Sequence, residues 1–195
     1  MTSPTTSLVL PRRRFLHGAG TATLSATAVA LLAGCESMAR GPSADPTGDL
    51  KILNTALGYE HDAITAYQIG AESGLLNKAA LDTAVLFQGH HRQHAEALAA
   101  VVRKLGGSPA MGRSTAEVAK EINATSLKTG EDVLRVAAGL EKGAVEAYIG
   151  AIPALSDPQL SKVAGRIIAD ESMHWTTLVN ALGQSLPKQA LSFDA

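Results

Sequence analysis

Residues 170–175, Asp-Glu-Ser-Met-His-Trp, interrupt an otherwise apolar helical stretch near the end of the chain. Apolar residues precede them over 163–169 and follow them over 176–182, spaced as in an amphipathic helix. Glu171 and His174 occupy positions where that pattern predicts Leu or Ile. Because side chains three residues apart lie on one helix face, both polar groups should point into the core. A buried acid needs a partner there, so this stretch decides what kind of core the fold must build.

The composition of the chain predicts an all-α fold with a single core. The chain has 195 residues, of which 46% are hydrophobic and 18% charged, enough for one globular domain. Alanine is abundant and aromatic residues make up only 4%, which favours helix over strand. No segment shows the β-branched, period-two alternation that is typical of strands.

Four long segments repeat apolar residues at the i, i+3, i+4 and i+7 spacing of amphipathic helices. We predict helices from Asp49 to Ser73, from about Asn77 to Leu105, from Thr129 to about Pro153 and from Pro158 to Gly183. Gly74 and Gly106 permit the left-handed turn that ends the first two. The connection over residues 108–128 is too long for a tight turn, so we expect it to cross one end of the molecule, with a short helix within 114–122.

The first and third helices are related by an internal repeat with an offset of 81 residues. The repeat pairs Gly58 with Gly139, Glu60 with Glu141, and Tyr67 with Tyr148. The second and fourth helices follow it too, since His94 lies 34 residues after Glu60 and His174 lies 33 after Glu141. Two similar helical hairpins joined by a long crossover predict an antiparallel four-helix bundle with a pseudo-twofold axis.

Each predicted helix places one or two candidate metal ligands in the middle of its apolar face. The face of the second helix comprises Leu81, Ala84, Val85, Gln88, His91, His94, Ala95 and Leu98. Burying carboxylates without compensation costs several kcal/mol for each ion, and a divalent cation removes that cost. Carboxylate oxygens and neutral imidazoles together suit iron, manganese or zinc. The candidate ligands of one or two ions are Glu60, His91, His94, Glu141, Glu171 and His174.

Other interpretations of these side chains stay open at this point. Glu171 and His174 alone would fit a buried hydrogen-bonded pair, and Glu60 and Glu141 would fit acids bonded to tyrosine or water. His91 would equally fit a residue that orients a ligand rather than binding the ion.

Several residues near the candidate ligands carry their own expectations. Tyr67, Tyr148 and Gln88 are expected to contact the ligands, although for the tyrosines core packing with a satisfied hydroxyl is the alternative. His61 and His90 lie just off the apolar faces, so we expect them at the surface or rim. Close approach of neighbouring helices would explain the glycines that flank the ligands, Gly58, Gly89 and Gly139.

Glu60, Glu141 and the Glu171-x-x-His174 pair, placed on two duplicated hairpins, resemble the ferritin-like superfamily. The resemblance covers nearly all of residues 49–184, leaves 185–195 as a tail, and is closest to small exported ferritin-like domain proteins of bacteria. It implies a di-iron or di-manganese carboxylate site that reacts with dioxygen or peroxide, and so a metal-dependent oxidoreductase.

One position departs from the family pattern. The second helix has His91-Arg-Gln-His94 where the family has Glu-x-x-His, so His91 stands in the place of a carboxylate that bridges the two metals. Three carboxylates and three imidazoles balance less of the charge of a metal pair. A single ion and an altered pair are therefore both open, with iron expected and manganese or zinc as alternatives.

The first 34 residues predict an export signal rather than part of the fold. Arg12 and Arg13, followed by Phe15 and Leu16 and a short apolar run, resemble a bacterial twin-arginine signal, with an ordinary secretory signal as the alternative. Residues 31–35, Leu-Leu-Ala-Gly-Cys, resemble a lipobox. Cys35 is the only cysteine, which excludes an intramolecular disulfide, and lipidation would anchor the exported protein to a membrane on its periplasmic side. Residues 35–48 would form a flexible tether.

Charge limits the partners of the mature chain. Removing residues 1–34 takes away three of the 17 basic residues and none of the 18 acidic ones, which leaves a formal charge of about −4. This charge gives no indication of nucleic-acid binding. Besides a redox enzyme, we consider a non-catalytic metal-binding or envelope stress protein and a metal-free interaction module. The sequence identifies no electron donor, and a homodimer is one oligomeric state we consider.

Overall fold

The computed structural model describes residues 45–193, and over this range the chain is helical and contains no strand. Within residues 45–193, five α-helices follow one another: α1 (Pro46–Glu72), α2 (Lys78–Lys104), α3 (Thr115–Glu121), α4 (Gly130–Ala151) and α5 (Pro158–Ala181). Short 3₁₀ turns follow α3 at Ala124–Ser126 and α4 at Ile152–Ala154. Within the described residues no helix is long and apolar enough to cross a membrane. The predicted export signal, Cys35 and the tether up to residue 44 lie outside the described residues.

The helices begin where side chains can accept hydrogen bonds from the free N–H groups of the first turn. Thr129 and Asp132 form the expected capping box at α4, and Asp157 caps α5 just before Pro158. Asp45 accepts hydrogen bonds from the backbone N–H groups of Thr47 and Gly48, so α1 begins at Pro46, before the expected start at Asp49. The glycines expected to end helices, Gly74, Gly106 and Gly183, all have positive φ angles of 65° to 82°.

The four long helices pack in two pairs. α1 packs along α2 and α4 packs along α5, while α1 also contacts α4 and α2 contacts α5. The short helix α3 lies within the predicted crossover and packs on α1. One apolar cluster contains residues of all four long helices, namely Tyr67, Ala84, Phe87, Ala138 and Leu178. This packing brings the middles of the four apolar faces together.

Two expectations about side-chain packing are wrong. Val85 is 53% exposed and Phe87 lies in the core instead, because Phe87 shares the face of Ala84 and His91 while Val85 is turned away from it. A Cβ added at Gly58, Gly89 or Gly139 would meet no heavy atom within 4 Å, so these glycines do not mark close helix approaches. Each precedes a candidate ligand by two residues and therefore lies on the outer side of its helix.

A buried aspartate ties the start of α1 to the turn between α4 and α5. Asp49 is only 3% exposed. Its Oδ1 accepts a hydrogen bond from the backbone N–H of Ser156 at 2.8 Å, and its Oδ2 accepts one from the Ser156 hydroxyl at 2.6 Å. Hydrogen bonds to a charged acceptor are stronger than those between neutral groups. This contact therefore fixes one hairpin against the other at one end of the molecule.

We expect Asp49→Ala to destabilise the protein by about 1–3 kcal/mol, because it leaves the backbone N–H and the hydroxyl of the half-buried Ser156 without their acceptor. Urea unfolding monitored by circular dichroism measures the change. Asp82→Ala is the matched control, since Asp82 is exposed and pairs with Lys78 on the same helix. Equal midpoints for the two variants would contradict the role assigned to Asp49.

Candidate metal centre

Six acidic and imidazole side chains meet in the interior at the middle of the four long helices. Glu60 comes from α1, His91 and His94 from α2, Glu141 from α4, and Glu171 and His174 from α5. None is more than 8% exposed, and Glu171 and His174 are fully buried. The structure thus brings together all six residues that the sequence proposes as metal ligands.

The six side chains form two overlapping sets of four, each with donor atoms within 4.8 Å of one another. The Glu60 set consists of Glu60, His91, His94 and Glu171, and the Glu141 set consists of His91, Glu141, Glu171 and His174. His91 and Glu171 belong to both sets. Each set has two carboxylates and two imidazoles, a mixture that suits iron, manganese or zinc.

The two shared residues present one donor atom to each set. Nδ1 of His91 lies 2.9 Å from Oε2 of Glu60, and its Nε2 lies 3.3 Å from Oε1 of Glu141. Oε1 of Glu171 lies 3.0 Å from Nδ1 of His94, while its Oε2 lies 3.3 Å from Nδ1 of His174. His91 and Glu171 therefore both lie between the sets, with Nδ1 of His91 at 3.6 Å from Oε1 of Glu171.

Three buried donor atoms of the centre have no hydrogen-bond partner among the described residues: Nδ1 of His94 and both carboxylate oxygens of Glu171. His94 Nδ1 and Glu171 Oε1 are only 3.0 Å apart, yet they lack the alignment of a hydrogen bond. Two donors that approach each other without pointing at each other are arranged as they would be around a common ion. Unpaired buried polar atoms are costly, and a cation at this position would satisfy them. The residues present thus fit a metal ion.

Two tyrosines connect the glutamates across the two hairpins. The Tyr67 hydroxyl of α1 donates a hydrogen bond to Oε1 of Glu141 on α4, and the Tyr148 hydroxyl of α4 donates one to Oε1 of Glu60 on α1, the latter at 2.6 Å. Both tyrosines are 5% exposed. Gln88 is also buried, but its amide donates to the Ile64 carbonyl and to Gln68 rather than to a candidate ligand.

Two residues beside the centre were missed by sequence reasoning. His90 was expected at the surface or rim, yet its Nδ1 lies 2.8 Å from Nε2 of His174. Asp170 places Oδ2 at 3.2 Å from Nε2 of His94. His90 directly precedes His91, and Asp170 directly precedes Glu171. This adjacency to the shared residues is the feature of the sequence that could have indicated their contacts with the centre.

Carboxylates and imidazoles shift one another's pKa values in the metal-free centre. Burial alone would lower the pKa of His91 and His94, but the neighbouring carboxylates outweigh burial and raise both to about 10. Burial would raise the pKa of Glu60, but His91 and His94 lower it to about 2. Burial raises the pKa of Glu171, and the nearby His174 and His94, which favour its charged form, do not offset this effect. Without metal, the centre is therefore held by protonated imidazoles between carboxylates.

Comparison with known proteins identifies the class. Residues 48–184 match the model of the family described as the ferritin-like domain, and the chain belongs to this family. Its buried histidine and glutamate cluster could bind metal. A comparison with curated proteins finds no match.

Two solved structures share the fold. A conserved hypothetical protein from Mycobacterium tuberculosis is 16% identical with a TM-score of 0.62, and the match covers 74% of this chain and 97% of that one. A hypothetical protein from Methanococcus jannaschii is 18% identical, also with a TM-score of 0.62, over 80% of this chain and 93% of that one. These likenesses concern the fold alone.

We expect the metal-free protein to lose stability in both directions of pH. The raised pKa of His91 and His94 contributes stability below 6.5, which is lost as the pH rises towards about 10. The lowered pKa of Glu60 contributes stability above 4.5, which is lost as the pH falls towards about 2. Melting temperatures measured by calorimetry between pH 3 and 10, with a chelator present to remove metal, test both losses of stability.

With excess Mn²⁺ the melting temperature should instead rise with pH up to about pH 8, because metal binding requires deprotonated imidazoles. His61→Gln is the control and should show the same pH dependence as the wild type, since His61 is not part of either set. A metal-free melting temperature that rises steadily from pH 6.5 to 9 would contradict this assignment.

Proposed function

We propose that this protein is an exported, metal-binding member of the ferritin-like family whose iron or manganese centre reacts with dioxygen or peroxide. The observation that carries the proposal is the pair of four-donor sets that share His91 and Glu171, with unpaired donor atoms between them. Two adjacent sets favour a pair of ions over a single one. The antiparallel four-helix arrangement expected from the sequence belongs to this proposal, and the packing of α1 on α2 and of α4 on α5 supports it.

The donor set assigns a position to each residue. Glu60 and His94 would hold one ion, Glu141 and His174 the other, and Glu171 and His91 would lie between them. A neutral His91 has one lone pair and could bind only one of the two ions. Because neutral imidazoles add no charge, three carboxylates would leave a pair of divalent ions with about one uncompensated positive charge. The substitution of His91 for a carboxylate thus favours anionic ligands, such as a peroxide or superoxide anion, in the remaining positions.

When bound, iron or manganese would supply one-electron chemistry towards dioxygen or peroxide. The protein residues would hold the ligands in place and keep bulk water away. The hydroxyl groups of Tyr67 and Tyr148 each bind one oxygen of a glutamate. The other oxygen of each glutamate faces an imidazole of the centre, where an ion would bind. Because the six ligands are buried, only a small oxidant could reach the centre without a large opening of the helices.

A small apolar cavity lined in part by Tyr67 favours dioxygen as the oxidant. It has a volume of about 30 Å³ and is lined by apolar groups of all four long helices and the crossover, including Ala84, Ala137, Leu178 and Ile122. Tyr67, which binds Glu141, also lines it. Cavities with apolar walls stay dry and admit apolar molecules of matching size. Dioxygen is small and apolar and fits this description.

The proposed location of the protein rests on the N-terminal sequence. Arg12, Arg13, Phe15 and Leu16 would direct export through a twin-arginine route, which carries folded proteins and would let the metal be loaded before export. A lipid on Cys35 would then hold the domain at the membrane. A lipid on each subunit would interfere with assembly into a closed iron-storage shell, so we propose a redox protein or detoxifier rather than a store.

We expect the metal-stripped protein, reloaded without oxygen, to retain about two ions of iron or manganese per chain. Glu171→Ala should retain less than half of that amount, because it removes a donor atom from each set. Elemental analysis after desalting measures the loss, and Glu96→Ala is the matched control on the exposed face of α2. Equal metal in wild type and Glu171→Ala would remove Glu171 from the centre, and metal-free wild type would contradict metal binding altogether.

The redox part of the proposal has a separate readout. Iron(II)-loaded protein should consume dioxygen or hydrogen peroxide and develop near-ultraviolet absorption of iron(III), faster than iron(II) in buffer. A loaded protein that consumes neither oxidant would be a non-catalytic metal binder. This outcome would contradict the redox assignment and leave metal binding intact.

We expect Cys35→Ser to abolish incorporation of a radiolabelled fatty acid and to release the exported protein from membranes. Arg12→Lys combined with Arg13→Lys should retain the precursor in the cytoplasm. Fractionation of expressing cells measures both effects. Export of the double variant at the wild-type level would favour an ordinary secretory signal.

A further inference from the structure

The two outer histidines of the centre meet different partners on their far side. His94 and His174 each direct Nδ1 towards the carboxylates and Nε2 away from them. Nε2 of His94 lies 3.2 Å from Oδ2 of Asp170, whereas Nε2 of His174 lies 2.8 Å from Nδ1 of His90. One half of the centre is thus supported by a carboxylate and the other half by an imidazole.

The two partners occupy equivalent positions of the internal repeat. His90 and Asp170 are 80 residues apart, as are His91 and Glu171. The contacts are reciprocal, since Asp170 on α5 supports a histidine of α2 and His90 on α2 supports a histidine of α5. The repeat preserves the geometry, but the chemistry of the two partners differs.

This difference bears on how strongly each histidine donates to an ion. When Nδ1 binds a metal, Nε2 carries the proton and donates it to the outer partner. A carboxylate acceptor makes this hydrogen bond charge-assisted and the imidazole a stronger donor, whereas a neutral imidazole acceptor strengthens it less. Asp170 is 49% exposed, so solvent screening reduces the effect of its charge on His94.

His90 also fixes the orientation of the His174 ring. The His90 and His174 rings are nearly parallel, at 17°, with centroids 5.1 Å apart, and Phe87 stacks on the His174 ring with centroids 4.0 Å apart. Nδ1 of His174 needs its lone pair for an ion, so Nε2 must be the donor and Nδ1 of His90 the acceptor. His90 therefore holds His174 in the tautomer and orientation that the Glu141 set requires.

We propose that Asp170 and His90 make the two halves of the centre unequal, so that the Glu60 set binds its ion more tightly than the Glu141 set. His90 acts as a positioning residue for the weaker half. This inference rests on the proposed metal function. It predicts that the two positions fill in order, with the Glu60 set occupied first.

Cobalt(II) titration of the metal-free protein tests this order, because the visible absorption of cobalt reports its ligands. With a competing chelator present, the wild type should bind two ions in steps about tenfold apart. Asp170→Asn should weaken the first step about tenfold and leave the second unchanged. His90→Ala should weaken the second step and alter its spectrum. His90→Asn should restore the wild-type affinity and spectrum of that step, because the asparagine amide oxygen can accept the same hydrogen bond.

Two further variants complete the test. His90→Asp gives both halves a carboxylate partner, so the second step should strengthen and approach the first. Gln93→Ala, on the exposed face of α2, is the control and should leave both steps unchanged. Two cobalt ions bound in steps that none of the His90 and Asp170 variants alters would overturn this inference and leave metal binding standing. Wild-type protein that binds no cobalt and no other metal would overturn the proposed function and this inference together.

Discussion

Three carboxylates buried at the middle of the helices are the constraint on which the structure depends. Glu60, Glu141 and Glu171 are each no more than 2% exposed, and their charge must be balanced inside the protein. Protonated imidazoles can balance it in the metal-free chain, and cations can balance it in the loaded one. Replacing buried ionic groups by apolar residues of similar volume is often neutral or stabilising, so stability alone does not account for this layer.

The repeat explains how one centre is built from two hairpins. Each hairpin supplies a glutamate from its first helix and a pair of ligands from its second, so neither hairpin completes a set by itself. Departures from the repeat then have local consequences. His91 stands where the other hairpin has Glu171, and His90 stands where it has Asp170. The two halves of the centre thus differ in charge although the helices repeat.

Much of this architecture follows from sequence periodicity, and the remainder depends on how the helices are rotated. Capping residues and glycines predicted the ends of most helices, and polar residues on apolar faces predicted the six side chains of the centre. His90 and Asp170 lie about 100° from those faces, so only the rotation of α2 against α5 decides that they reach a ligand. The exposure of Val85 has the same origin, and metal identity is not encoded in side-chain spacing at all.

The crossed tyrosines give the centre a mechanical property. Tyr67 and Tyr148 each donate a hydrogen bond from one hairpin to the glutamate of the other. A displacement of one hairpin relative to the other would therefore strain both hydrogen bonds and shift both glutamates. An ion bound between Glu60 and Glu141 would restrain the two hairpins through the same hydroxyl groups. Through these two hydrogen bonds, a loaded centre would make the packing of the hairpins more rigid than a metal-free one.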